Sequence, residues 1–243
     1  MSESDRYLLG QIVEQERVQN GPRSTIHKYF EIFSAEQITK DLGFDLDSEQ
    51  VRSGVIGIGG GDGGVDSVYI FANRRLVRED ADLSLFIGQQ LAIHMLIIQS
   101  KYQNSFLEST ITRLSDFTEH CLKLTADMTV ARQLYNESIV ETTERFHNLY
   151  KSALTQRPSL EITFFYASIG EQIAPQVNAR ADMLKAKCNN HFSAATVDFQ
   201  FIGAPGLLRF YNRAPTKTLK LQTSKSLNLS SFGTAYICLT PLA

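Results

Sequence analysis

Residues 91–101 read LAIHMLIIQSK. This is an almost unbroken apolar run that ends on two polar groups, Gln99 and Lys101. A run of this length, rich in branched side chains and without alternation, reads as a strand covered on both faces. Successive side chains of a strand point to opposite faces, so Gln99 and Lys101, two apart, share one. Burying an amide and an ammonium beside MLII is costly unless both have partners.

The partner is expected upstream. Residues 54–77, GVIGIGGGDGGVDSVYIFANRRLV, hold a glycine cluster that requires irregular backbone. A second strand follows over 65–72, and a turn at Asn73, Arg74 and Arg75 leads into a short return strand. Asp66 opens the second strand. If the two strands are neighbours, Asp66, Gln99 and Lys101 converge at one end of the sheet. Phosphodiester hydrolysis uses such a trio: a carboxylate and an amide oxygen for a hard cation, and an ammonium for the charge that develops on phosphate.

Outward from this centre, 5–19 reads as an amphipathic helix with Leu8, Leu9, Ile12 and Val13 on one face. A second helix, capped by Ser24 or Thr25, runs to about Leu42 and ends at Gly43. A helical turn is expected at 48–51, and 79–90 is a connection that could hold a short helix. Residues 105–155 have helical periodicity and contain neither Gly nor Pro, which suggests two helices. Strands are expected at 160–167 and 195–203, with a helix over 173–192 between them and a short helix over 205–212. Two more strands are plausible near 217–222 and 234–240. Strands alternating with helices predict an α/β fold. The expectation is one domain over 1–243: a core with N-terminal helices over 1–104, a helical segment over 105–156 and an α/β continuation over 157–243.

The 243 residues carry 24 Lys plus Arg against 26 Asp plus Glu, a formal net charge of −2. That excludes a strongly cationic coat but allows a local basic groove. Arg74, Arg75 and Arg78 beside the site strand are candidates for backbone phosphate contacts, as is a looser run of Arg209, Arg213, Lys217, Lys220 and Lys225. A solvated face explains either group as well. Cys121, Cys188 and Cys238 are odd in number and far apart, against a disulfide framework or a zinc site. His27, His94, His120, His147 and His191 lack ligand spacing. With no signal peptide and no long apolar span, the protein is expected to be cytoplasmic, without a membrane partner. The string 59–64 satisfies a bare GxGxxG, but a strand follows it where a dinucleotide fold needs a helix. Asp62 in that loop is either a turn former or a second ligand.

GDGGVDSVYIF followed by LIIQSKY resembles the PD-(D/E)xK nuclease core in its Mrr-like form. KYFEIFSAEQITKDLGF resembles the helix that precedes the aspartate in Mrr-like restriction endonucleases. Across nearly the whole chain, including ITFFYASIG, VDFQFIGA and YICLTPL, the layout is similar to the N-terminal part of the AIPR (abortive-infection phage-resistance) family. The resemblance implies a restriction-endonuclease-like mixed sheet flanked by helices. It also implies a Mg²⁺- or Mn²⁺-dependent nuclease acting on DNA in bacterial antiphage defence, and a longer protein of which this chain is one portion. Asp66 would be the metal-binding aspartate, Lys101 the catalytic lysine, and Gln99 would stand where many relatives carry an acid. A helix acid, Glu31 or else Glu36, would complete the metal ligands. Relatives of this core often act as dimers, and 105–155 could pair with a second copy. The rival expectations are a module that binds nucleic acid or protein without cutting, or a structural α/β part of a longer sensor protein.

Overall fold

The computed structural model describes residues 3–44, 46–57, 61, 63–81 and 90–213, and the backbone of 225–229 and 235–239. By contacts the chain separates into two compact units, 1–213 and 214–243. Within the second, β6 (Lys225–Leu229) and β7 (Ala235–Leu239) form an antiparallel pair. The strand expected near 217–222 lies outside the described residues, as do Asp62, Lys217, Lys220 and most of the 79–90 connection.

The first unit is built on a five-stranded mixed sheet of order β2-β1-β3-β4-β5. The strands are β1 (Ser67–Ala72), β2 (Arg75–Leu76), β3 (Ala92–Lys101), β4 (Ser159–Ser168) and β5 (Thr196–Ile202). β1 is antiparallel to both β2 and β3, whereas β3, β4 and β5 are mutually parallel. β3 is the central strand. Ile93, Met95 and Ile97 join one core, and Leu96 and Ile98 join the other, which is why the run 91–98 shows no alternation. Each such side chain taken fully from water contributes about 1.5–3 kcal/mol.

Helices cover both faces. α1 (Glu3–Asn20), α2 (Ile26–Asp41) and α8 (Ala204–Asn212) pack on the Leu96/Ile98 side. Thr25 caps α2, its side chain accepting from the Lys28 N–H. On α1, Leu9 and Val13 form the buried seam, while Leu8, expected on that face, is 50% exposed. The short α3 (Ser48–Ser53) starts on a capping box between Asp47 and Gln50.

The other face carries α4 (Glu108–Phe117), α5 (Met128–Leu134), α6 (Glu137–Ala153) and α7 (Pro175–His191). The two helices expected over 105–155 are thus three, with a π-turn over Thr118–Leu122 after the first. The breaks need no Gly or Pro. Asp127 and Asn136 restart the chain as side-chain caps, accepting from Thr129 N–H and Ile139 N–H. Such caps satisfy donors that a helix start leaves open. Among the described residues no helix is long and apolar enough to cross a membrane.

Candidate active site at the carboxyl ends of the parallel strands

The turn that returns β1 to β2 is two residues long, with Asn73 (φ 48°) and Arg74 (φ 66°) both left-handed. Backbone of this kind matches the twist of an antiparallel pair. It puts Arg74 and Arg75 at the end of β1 remote from Asp66. Arg74 donates to Gly43 O at 2.6 Å and lies over the Phe44 ring, 4.9 Å from its centroid. Arg78 is 3.3 Å from Glu49 and 3.8 Å from Asp80. Of the three arginines singled out for phosphate, two are therefore engaged within the chain.

At the other end of β1 the register closes on the Ser67–Ile98 pair, and Asp66 immediately precedes it. The Asp66 N–H donates to Ile98 O at 3.0 Å. Val68 and Ile70 of β1 share a core with Met95 and Ile97 of β3. By strand parity, Gln99 and Lys101 face that same side, toward α4–α7, and Asp66, one residue before β1, meets Gln99 through its side chain. This end of the sheet is where β3, β4 and β5 all finish, the place where open α/β sheets hold ligands.

Asp66 is 1% exposed and Gln99 fully buried. Gln99 Nε2 donates to Asp66 Oδ2 at 2.5 Å, and the Ser100 backbone N–H donates to the same oxygen at 2.7 Å. Short charge-assisted bonds of this kind offset part of the cost of burying a carboxylate. The Asp66 carbonyl accepts from Ile56 and Gly57 N–H at 2.9 and 3.2 Å, tying the segment before the glycine cluster to the site.

Gln99 Oε1 is buried and has no hydrogen-bond partner among the described residues. A buried amide oxygen without a donor is expensive. It faces Gly64, whose φ of +81° places it in the left-handed region; a Cβ there would stand 3.4 Å from Gln99 Oε1 and 2.8 Å from Arg113 Cβ. The glycine thus keeps space over the amide. The donor set, a carboxylate and an amide oxygen, suits a hard oxygen-seeking cation. Among the described residues no group of three or more His, Cys, Asp or Glu could hold a metal.

Lys101 is half-buried, on the Gln99 side of β3, and its ammonium makes no hydrogen bond or ion pair among the described residues. Glu31 is not part of the Asp66–Gln99 contact. Its helix covers the opposite face of the sheet, and one link to the site runs through Lys28 and Gly57. Lys28 Nζ bonds Glu31 at 2.5 Å and Gly57 O at 3.2 Å, and Gly57 N–H reaches Asp66 O. Glu36 has Glu16, Lys40 and Arg52 as its charged neighbours, which leaves Glu31 the better placed helix acid.

Of the remaining nucleophile and ligand candidates, two cysteines are buried and two histidines are paired with acids. Burial pushes the Cys121 thiol up to about 11 and the Cys188 thiol up to about 12, far from thiolate chemistry at neutral pH. His94 pairs with Glu161 at 3.0 Å and His191 with Glu119 at 3.1 Å. Two contributors were missed from sequence: the Ser100 N–H, which any residue supplies, and Arg113 of α4, whose helix gave no sign of its place beside Gly64.

The fold and site together define a three-layer α/β domain with a buried Asp–Gln pair at the carboxyl ends of its parallel strands. No protein-family model, curated protein or solved structure matches the chain.

Proposed function

We propose that this domain is a Mg²⁺-dependent nuclease that hydrolyses phosphodiester bonds, acts on DNA and serves bacterial antiphage defence. The observation that carries the reading is Gln99. Its Nε2 holds the Asp66 carboxylate, while its buried Oε1 lacks a donor among the described residues. A buried acceptor without a donor is costly; Gln37 Oε1 on α2 is another such oxygen, and what sets Gln99 apart is its bond to the Asp66 carboxylate. The mixed sheet supports the restriction-endonuclease-like reading: an acid at the start of one strand, Gln-x-Lys at the end of its antiparallel neighbour, and a parallel strand next to that.

Asp66 and Gln99 would hold the ion, and Glu31 would act on it at one remove, through Lys28 and Gly57. A bound Mg²⁺ or Mn²⁺ would supply positive charge for the phosphate and an activated water. Gln99 must turn Oε1 toward Asp66 to share an ion with it, which releases the bond from Nε2. Ser100 N–H keeps the carboxylate aimed during that exchange. Lys101, two residues on and on the same face, places an ammonium where charge builds on phosphate oxygens.

The test is a cleavage panel of plasmid, single-stranded DNA and RNA in Mg²⁺, Mn²⁺ and chelator. Wild type is expected to cut in metal alone, with Asp66→Ala and Lys101→Ala inactive. Equal cutting by wild type and both variants would end the assignment. One observation favours a second reading, a module that binds nucleic acid without cutting: the amide presents nitrogen, not oxygen, to Asp66. That reading requires retained binding with no metal-dependent product.

A further inference from the structure

We infer that Arg113 grips the phosphate backbone of the nucleic acid at this site; the inference rests on the Asp66 centre acting on phosphodiesters. Three observations carry it. First, Arg113 stands over the site. The point where a Gly64 Cβ would lie is 2.8 Å from Arg113 Cβ, 3.2 Å from Arg113 Cδ and 3.4 Å from Gln99 Oε1. The arginine stem and the buried amide oxygen thus flank the same glycine, and the guanidinium begins one atom beyond Cδ.

Second, Arg113 is exposed and makes no hydrogen bond or ion pair among the described residues. Its helix neighbour Glu108 pairs with Arg180 at 3.4 Å. Of the three arginines after β1, Arg74 is held by Gly43 O and Arg78 by acids, and Arg75 lies in β2, at the end of β1 remote from Asp66. Third, Gly64 has no Cβ and a left-handed φ of +81°, which lets the loop pass close under the arginine. A guanidinium fits phosphate as a planar fork, binding two oxygens at once. With Lys101 on the same side of the sheet, the site has two cations without hydrogen-bond or ion-pair partners among the described residues, and both suit an anionic polymer.

The experiment is fluorescence anisotropy with a labelled 20-base-pair duplex DNA in chelator, so that no cutting occurs. It compares wild type, Arg113→Ala, Arg113→Lys and the control Arg132→Ala across a salt series. Arg113→Ala is expected to bind about tenfold more weakly and to reduce the slope of log K against log salt by about 0.9, one phosphate contact. Arg113→Lys should keep the slope, Arg132→Ala should match wild type, and all should melt with wild type. Wild-type affinity and slope in Arg113→Ala overturn the inference. If wild type binds but never cuts in Mg²⁺ or Mn²⁺, the nuclease reading fails while the slope still decides Arg113. If wild type binds no duplex at all, the inference falls.

Discussion

Asp66, the residue before β1, and Gln99, near the end of β3, meet just past the last pair of the ladder, Ser67–Ile98, with Gln99 Nε2 2.5 Å from Asp66 Oδ2. The amide is both a clamp on the carboxylate and a ligand in waiting. Gln99→Glu separates the two roles. Without metal it sets two buried carboxylates against each other and costs about 3 kcal/mol, lowering Tm by roughly 6–12 °C for a chain of this size. With Mn²⁺ the same variant should regain more stability than wild type does. Melting curves in chelator and in Mn²⁺ measure both; a variant indifferent to metal contradicts the shared site.

Lys101 should matter to chemistry and not to folding. Its ammonium has no partner among the described residues, so Lys101→Ala is expected to leave the unfolding free energy within about 0.5 kcal/mol of wild type. Loss of a charge-stabilising donor should lower kcat about 100- to 1000-fold. Single-turnover cleavage measures the rate and calorimetry the fold.

Gly64→Ala tests the space over Gln99. A residue with a side chain at φ +81° is strained, and its Cβ would meet Arg113 Cβ at 2.8 Å. The expected cost is about 1–3 kcal/mol, read by urea denaturation, together with weaker DNA binding as the arginine is displaced.

His147 sets a pH dependence away from the site. It is 4% exposed and its Nε2 lies 2.8 Å from Leu122 O, the last residue of the π-turn. Burial holds its pKa below the usual histidine range, despite the opposing hydrogen bond to Leu122. The unfolded chain takes up a proton as pH falls through about 6.5, and the folded chain does so only at lower pH. Stability is therefore full above that value and is lost as pH falls through the window beneath it. Tm measured from pH 8 to 5 should fall for wild type, and His147→Gln should flatten the lower part of the curve.

Much of this was legible in residues 54–101. The run of β3 announced burial on both faces, and parity put Gln99 and Lys101 together. That β1 is its neighbour was an assumption, since 33 residues separate Asp66 from Gln99, and only the ladder supplies the register. The helical middle was less legible because its breaks are made by Asp127 and Asn136. These residues are unremarkable inside a helical pattern until their side chains are seen capping backbone N–H groups. Asn136 also donates to Ile56 O at 3.0 Å, so one residue both starts α6 and ties it to the segment leading into the site. Arg113 could not be found at all from periodicity, which marks it only as exposed. Its significance comes from Gly64, 49 positions earlier, passing beneath it.

The central claim is that Asp66 and Gln99 share a divalent cation. Titration of Mn²⁺ into the protein, followed by the loss of the free-ion electron paramagnetic resonance signal, tests it directly. Wild type is expected to remove Mn²⁺ saturably, Asp66→Ala to leave the signal of free ion, and Gln99→Glu to bind more tightly than wild type. Equal uptake by wild type and Asp66→Ala, or none by wild type and Gln99→Glu, would contradict it.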